Sequence, residues 1–226
     1  MSATLAGRRL LVSAGPTFED IDPVRFIGNR SSGKMGFAIA AAAARRGARV
    51  TLVSGPVALE TPPGVVRHDV RSAAQMHAAV MAALPADAYI GAAAVADFTP
   101  RTLAADKIRK ASLPGTGDSL GLDLVRTRDI LAEVAAHARR PRVVVGFAAE
   151  TGEVEQHARR KLERKGLDLV AANRVGVAGS GFESDDNALT LLWPGGERAL
   201  GPAPKTRLAA QLLDEVARLL AVEPAA

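Results

Sequence analysis

The chain has 226 residues, of which 48% are apolar and only 4% aromatic, so one large domain with a substantial core is expected and a disordered chain is excluded. Its 29 basic against 24 acidic residues give a formal charge of +5, which suits an anionic small molecule. The few aromatic rings disfavour stacking on single-stranded nucleic acid. Cysteine is absent, which excludes disulfides, thiolate metal sites and cysteine nucleophiles.

The hydropathy pattern indicates neither a membrane protein nor a secreted one. No stretch approaches the roughly 20 apolar residues that a membrane-spanning helix needs. The apolar segment after Arg8 and Arg9 runs into acidic residues too soon for a signal peptide. We therefore expect a soluble, cytoplasmic protein with no nucleic-acid or membrane partner.

Short apolar runs alternate with longer helical patterns along the chain. The pattern predicts, in order, a strand over 9–13, a helix over 33–46, strands over 49–54 and 65–70, a helix over 73–84, a strand over 89–95, a helix from about 129 to 139, a strand over 142–148, a helix over 153–165 and a strand over 167–172. Residues 188–193 and 198–200 then predict a hairpin, and 205–221 a closing helix. The alternation predicts a Rossmann-like, doubly wound α/β fold with a mainly parallel sheet and a C-terminal hairpin and helix. We expect a single domain over 1–226.

Two connections, 14–32 and 96–119, are much longer than the usual βα loop of about 2–6 residues. Both leave the carboxyl edge of the predicted parallel sheet, where ligands bind in open α/β folds. The functional site is therefore expected between these two loops.

The first long loop contains a sequence that only partly fits known phosphate-binding loops. Gly28-Asn-Arg-Ser-Ser-Gly-Lys34 satisfies G-x-x-x-x-G-K, but Met35 stands where a P-loop needs Ser or Thr to hold magnesium. The first βα turn also lacks the G-x-G-x-x-G of an ordinary NAD site. Ser31 or Ser32 is placed to cap the following helix, whose N-terminus would either bind an anion or simply be capped.

Charged residues gather in the second loop and in a later helix. Asp97 follows the fourth strand, where it either forms a turn or meets an ion or ribose. The cluster 107–110 contains three cations, which are either solvated or form a mobile flap over phosphates. Lys161 and Lys165 are four residues apart on one helix face, where their like charges repel each other. Either a bound anion, or Glu163 and water, would relieve this repulsion. The four histidines have no metal-ligand spacing, and no Ser-His-Asp arrangement is evident.

Several motifs, in order along nearly the whole chain, resemble the phosphopantothenate–cysteine ligase family. They are Gly15-Pro-Thr17, Asp22-Pro-Val-Arg25-Phe-Ile-Gly-Asn29-Arg-Ser-Ser-Gly-Lys-Met-Gly36, Ala92-Ala-Ala-Val-Ala-Asp97, Lys107-Ile-Arg-Lys110, Gly146-Phe-Ala-Ala-Glu-Thr151, Asp168-Leu-Val-Ala-Ala-Asn173 and Gly181-Phe-Glu-Ser-Asp-Asp-Asn187. The resemblance implies that CTP activates 4′-phosphopantothenate as an acyl cytidylate, that cysteine displaces CMP, and that the enzyme is a magnesium-dependent homodimer. Bacterial members are usually fused to a flavin-dependent decarboxylase domain, and residues 1–7 resemble the remnant of the linker to it. Two alternatives stay open: an excised half of such a protein and a free-standing ligase.

The resemblance also implies roles for individual residues. Asn29 would hold the acyl cytidylate for the second half-reaction, and Lys107 would neutralise charge in the first. Arg25 and Ala94 would contact phosphopantothenate, and Asp97 the triphosphate or its Mg²⁺. The remaining CTP-binding residues implied are Gly91, Ala92, Ala93, Arg128, Asp129, Ile130, Leu131, Phe147, Lys161 and Lys165. The C-terminal hairpin would help to pair the subunits.

Two positions depart from the family pattern. Arg109 replaces the middle lysine of the flap motif, and Arg128 stands where many members have proline. Two other hypotheses stay open at this point: an NAD(P)-dependent reductase on the same fold, and a non-catalytic anion-binding or assembly module.

Overall fold

The computed structural model describes residues 4–109, 119–150, 152–174 and 184–222. Lys110, Thr151, the segment 181–183 and residues 1–3 of the expected linker remnant lie outside these ranges, so the motifs that include them are described in part.

The described elements follow the predicted alternation. They are β1 (Arg9–Ala14), β2 (Phe18–Asp20), β3 (Phe26–Gly28), α1 (Lys34–Arg45), β4 (Arg49–Ser54), β5 (Val65–Asp69), α2 (Ala73–Ala82), β6 (Ala88–Gly91), β7 (Phe98–Pro100), β8 (Leu124–Arg126), α3 (Ile130–Ala135), β9 (Val143–Glu150), α4 (Val154–Lys165), β10 (Leu169–Arg174), β11 (Asp186–Trp193), β12 (Gly196–Pro204) and α5 (Lys205–Ala221).

Eight of the described strands form the central sheet, in the order β12-β11-β10-β9-β6-β1-β4-β5. The six strands from β10 to β5 pair in parallel, and β11 and β12 complete the sheet as an antiparallel hairpin. The predicted Rossmann-like fold class, including the C-terminal hairpin and helix, is confirmed. None of the described helices is both long enough and apolar enough to cross a membrane.

Helices cover both faces of the sheet, which explains the continuous apolar runs of its strands. In β1, Leu10 and Val12 pack into the core under α1 and α5, whereas Leu11 packs on the opposite face under α2, α3 and α4. All three side chains are at most 1% exposed. The sheet edge at the ends of β1, β6 and β9 is therefore held rigidly from both sides.

Several local predictions differ from the structure. The predicted serine cap of the first helix is wrong: Gly33, in the left-handed conformation at φ 75°, precedes α1 without a side-chain cap, and the Ser31 hydroxyl accepts the Gly33 N–H instead. The third helix ends at Ala135 rather than near 139. The fourth strand ends at Gly91, because Ala92 and the residues after it bond to the end of β1 and the loop that follows.

Each long loop contributes at least one strand to a short antiparallel ribbon that the sequence pattern did not predict. In the first loop β2 pairs with β3, with Phe18 and Phe26 stacked at 4.0 Å between ring centroids. In the second loop β7 pairs with β8, which follows that loop. These three-residue strands are too short to produce a readable alternation.

Candidate active site

Two cavities open at the carboxyl edge of the sheet, beside the point where the chain crosses from one side of β1 to the other. The first has a volume of about 640 Å³ and lies over the ends of β1 and β6 towards α3 and α4. The second, of about 570 Å³, lies between the N-terminus of α1 and the ends of β9 and β10. This is the crevice where open α/β sheets bind ligands.

A common wall joins the two cavities. Both cavities are lined by Ala93, Val95, Asp97, Phe147 and Lys161. Two ligands, one in each cavity, would therefore meet at this wall.

The structure brings together most of the residues singled out from the sequence. The first cavity is lined by Gly91, Ala93, Asp97, Arg128, Asp129, Ile130, Leu131, Phe147, Lys161 and Lys165. The second is lined by Asn29, Ala92, Ala93, Ala94, Asp97, Phe147 and Lys161. Arg25 and Lys107 line neither cavity; they lie where the second long loop meets the first.

The closed end of the first cavity contains a hydroxyl pair that the sequence did not reveal. The Ser13 and Tyr89 hydroxyl oxygens are 2.9 Å apart. Burial raises the pKa of Tyr89 to about 12, although the Ser13 hydrogen bond opposes the shift, so this phenol stays neutral. Because one proton is shared within the pair, the second O–H can donate to a ligand. No sequence signal distinguishes these residues from core residues of two strands.

Glycines allow α3 to lie against the sheet beside this hydroxyl pair. A Cβ on Gly146 would come within 2.7 Å of Leu131 Cδ2, and one on Gly91 within 3.3 Å of Leu131 Cδ1. The Leu131 side chain therefore lies over bare backbone, and a side chain at Gly146 would force the end of Leu131 to move.

The basic side of the first cavity is held by hydrogen bonds within the protein. Lys165 Nζ lies 2.7 Å from Asp129 Oδ2, and Lys161 Nζ donates to the Phe147 carbonyl at 2.6 Å. Asp129 also accepts the Ala132 N–H and so caps α3. Burial raises the pKa of Asp129, but the Lys165 bond and the cap outweigh it and leave the pKa below its ordinary value. Asp129 thus relieves part of the repulsion between the two lysines.

Arg128 is braced at the mouth of the same cavity. Its guanidinium donates to both Glu133 oxygens, at 2.9 and 2.6 Å, and Glu133 also bonds His77 at 2.9 Å. The Arg128 bond, more than the opposing burial, lowers the pKa of Glu133. These bonds hold the Arg128 guanidinium in place at the cavity.

The second cavity combines an amide with a basic region. Asn29 Nδ2 donates to the Val95 carbonyl at 2.9 Å, which fixes the asparagine at the common wall. Lys34 and Lys205 lie at the far side, where Lys34 pairs with Asp185 at 2.7 Å. Burial, followed by the Lys34 charge, lowers the pKa of Lys205, while Asp185 opposes the shift. The N-terminus of α1 adds its backbone dipole to this region.

The hydrogen bonds of Thr17 give the Gly15-Pro-Thr17 motif a structural role. Its buried hydroxyl accepts the Ala96 N–H at 2.9 Å, and its own N–H donates to the Ala94 carbonyl. The motif therefore fixes the loop after β6 that forms the common wall.

Among the described residues, no group of three or more His, Asp or Glu side chains could hold a metal ion. Asp97 lines both cavities as a carboxylate. Such a site fits Mg²⁺, which is typically bound by one or two carboxylates together with substrate phosphates.

Residues 5–220 match the model of a protein family described as the DNA/pantothenate metabolism flavoprotein C-terminal domain. The chain belongs to this family. Its relatives include coenzyme A biosynthesis bifunctional protein CoaBC of Vibrio parahaemolyticus, 51% identical over 96% of this chain and 54% of the relative. CoaBC of Escherichia coli K12 is 53% identical over 92% of this chain and 51% of the relative. The chain thus spans about half the length of these curated relatives.

Solved structures agree with this family membership. The crystal structure of a CoaBC C-terminal domain superposes with a TM-score of 0.80 at 36% identity, over 97% of this chain and 98% of that one. A Cab2 H337A mutant in complex with phosphopantothenate-cysteine has a TM-score of 0.70 at 17% identity, over 93% and 87% of the two chains. At that identity the second likeness supports the fold alone.

Proposed function

We propose that this domain joins cysteine to 4′-phosphopantothenate in a CTP-dependent reaction of coenzyme A biosynthesis. The products are phosphopantothenoylcysteine, CMP and pyrophosphate. The observation that carries the proposal is the common wall: a nucleotide in the first cavity and an acyl substrate in the second would meet beside Asp97, Phe147 and Lys161. Membership of the family and the CoaBC relatives support the same reaction.

The reaction consists of two displacements. First, a carboxylate oxygen of phosphopantothenate attacks the α-phosphorus of CTP, and the bond to the β-phosphate breaks to release pyrophosphate. Next, the cysteine amine attacks the acyl carbon, and CMP leaves with the former carboxylate oxygen while the amine loses a proton. Neither step needs a protein nucleophile, so positioning and charge stabilisation are the protein's contribution.

The first displacement concentrates negative charge, and the lysines supply the opposite charge. Lys161 and Lys165 line the nucleotide cavity and would face the triphosphate. Lys107 would neutralise the departing pyrophosphate from the adjacent loop. When bound, Mg²⁺ would be held by Asp97 and the phosphates, where it would stabilise charge on the phosphate oxygens.

The second displacement uses the other cavity. Asn29, fixed by its bond to the Val95 carbonyl, would hold the acyl cytidylate while cysteine attacks. Ala94 and Arg25 would contact the phosphopantothenate moiety, Ala94 from the cavity wall and Arg25 from the neighbouring turn. Lys34 and Lys205, which line the far side of this cavity, would add positive charge that attracts the anionic substrate.

The proposal includes the cellular context. We infer a homodimer, with the edge hairpin of β11 and β12 as the candidate pairing surface. A flavin-dependent decarboxylase domain is the proposed partner, since the CoaBC relatives are bifunctional and this chain matches about half of their length. A cytoplasmic location belongs to the same proposal.

The experiment is a nucleotide panel in which pyrophosphate release is measured with phosphopantothenate and cysteine. We expect release with CTP and Mg²⁺ that depends on phosphopantothenate. Asp97→Asn should reduce it strongly, whereas the matched control Asp123→Asn, at an exposed ion pair with Arg101, should not. Release that does not require phosphopantothenate, or none with any nucleotide, would contradict the proposal, and NADPH oxidation in its place would support a reductase.

A further inference from the structure

One buried carboxylate connects the two long loops. The Asp22 side chain is 0% exposed. Its Oδ1 accepts the N–H groups of Val24 at 2.8 Å and Arg25 at 2.7 Å. Its Oδ2 accepts Arg25 Nη1 at 2.6 Å and the N–H of Ile108 at 3.1 Å. Three of these bonds organise the turn between β2 and β3, and the fourth reaches the residue after Lys107.

Further hydrogen bonds attach the same two segments. Arg25 Nη1 donates to the Ile108 carbonyl at 3.1 Å, so both backbone polar groups of Ile108 are bonded to the turn. The Ala104 N–H donates to the Ile21 carbonyl at 3.1 Å. The chain from 104 to 108 therefore lies on the β2–β3 turn, although Lys107 itself is exposed to solvent.

The turn that holds this segment also leads to the other reactive residue. β3 ends at Gly28, and Asn29 then bonds the Val95 carbonyl at the common wall. The β2–β3 hairpin thus carries Asn29 at its end and holds Lys107 through Asp22. A shift of this turn would change the position of Lys107 relative to the cavities.

We propose that Asp22 is a positioning residue for the first half-reaction, acting through the backbone of Ile108 to hold Lys107 where charge develops on the departing pyrophosphate. This inference rests on the proposed function. All four partners of Asp22 are donors, so only a carboxylate, which accepts at both oxygens, satisfies them. An asparagine would direct its NH₂ group at donors on one side and would lose the attraction of Arg25.

The test measures the two half-reactions separately. Acyl-cytidylate formation is followed by rapid quench and mass spectrometry without cysteine, and transfer is followed by adding cysteine to the preformed intermediate. Misplacing a reacting group by about 1 Å can cost on the order of 10²-fold, so we expect Asp22→Asn to slow formation roughly 10- to 100-fold. Transfer should stay within about twofold of wild type.

Two further comparisons distinguish positioning from general loss of structure. Ile108→Pro removes the N–H that Asp22 accepts while every residue of the turn keeps its identity, so it should slow formation as well, and it keeps the test valid if Asp22→Asn does not fold. The matched control Ile108→Ala keeps that N–H and should not slow formation. In the Lys107→Gln background Asp22→Asn should add no further loss, because the group it positions is already gone.

Any one of three results would overturn the positioning role. They are formation of the acyl cytidylate at the wild-type rate in Asp22→Asn or Ile108→Pro, equal slowing of both half-reactions, and multiplicative losses in the double variant. A wild-type enzyme that forms no acyl nucleotide would instead overturn the proposed function, together with this inference. The two failures are therefore distinguishable.

Discussion

At the residue scale, the hydroxyl pair of Ser13 and Tyr89 should affect both stability and nucleotide binding. Tyr89→Phe leaves a buried Ser13 hydroxyl without its partner, which costs about 1–3 kcal/mol. We expect this loss in the free energy of unfolding by urea denaturation, together with a higher KM for the nucleotide. Adding Ser13→Ala removes the orphaned group, so the double variant should regain part of the stability; a double variant that loses the sum of both changes would contradict this.

Asn29 and Lys107 should affect different half-reactions. Asn29→Asp replaces the amide donor to the Val95 carbonyl with a negative charge, so we expect acyl cytidylate to form but to react poorly with cysteine. Lys107→Gln removes the cation proposed to stabilise the leaving pyrophosphate, so we expect a loss of roughly 10²–10³ in rate and little intermediate. Mass spectrometry of quenched reactions without cysteine checks both predictions. If acyl cytidylate accumulates in Lys107→Gln but not in Asn29→Asp, the roles assigned to these two residues are reversed.

The sequence predicted individual site residues unevenly. A strand end singled out Asp97, a helix spacing singled out Lys161, and the family resemblance singled out Phe147. The structure places all three at the common wall, and their roles stay predictions. Ser13 and Tyr89 could not be predicted, because a hydroxyl pair between two strands depends on their register. The Asp22 bond to Ile108 joins residues 86 apart and leaves no local pattern.

At the element scale, the close approach of α1 to β1 should be sensitive to a single methyl group. A Cβ on Gly36 would lie 2.4 Å from the Ala14 Cβ, within a buried contact that positions the N-terminus of α1. We expect Gly36→Ala to cost about 1–3 kcal/mol of unfolding free energy, as overpacking does, and to lower activity. The control Gly121→Ala, where nothing lies within 4 Å, should change neither, and a Gly36→Ala variant as stable as wild type would contradict the argument.

The bounds of most long elements could be predicted, because hydrophobic periodicity decides them. β4 and α5 have the predicted bounds of 49–54 and 205–221. The start of α1 was predicted to within one residue, but its cap was not, since a left-handed Gly33 packed near Val57 precedes the helix in place of a serine cap. The β2–β3 ribbon was missed because its stability comes from the Phe18 stack and from contacts distant in sequence.

At the scale of the whole molecule, stability should fall in acid. The pKa values of Asp22, Asp129 and Asp185 lie below the ordinary 3.8, and that of Glu133 below 4.5. For Asp22 and Asp129, hydrogen bonds to the charged form outweigh the opposing burial. A carboxyl group whose pKa is lower in the folded than in the unfolded protein stabilises the fold at pH values above its ordinary pKa. That stabilisation is lost as the pH falls through the lower pKa of the folded state.

We therefore expect the free energy of unfolding to be level near neutral pH and to decline once the pH falls below about 4. Urea denaturation across this range measures it. Asp22→Asn should reduce the slope in acid, whereas Asp123→Asn serves as the exposed control. Stability that rises on acidification would contradict these assignments.

The central claim is that the two cavities join a nucleotide to an acyl group, and the carboxylate oxygens of phosphopantothenate test it most directly. With ¹⁸O in that carboxylate, turnover with CTP and cysteine should deliver one labelled oxygen to the phosphate of CMP and none to pyrophosphate, measured by mass spectrometry of the products. CDP in place of CMP, with the label in orthophosphate, would mean that an acyl phosphate forms instead and would contradict the acyl-cytidylate account.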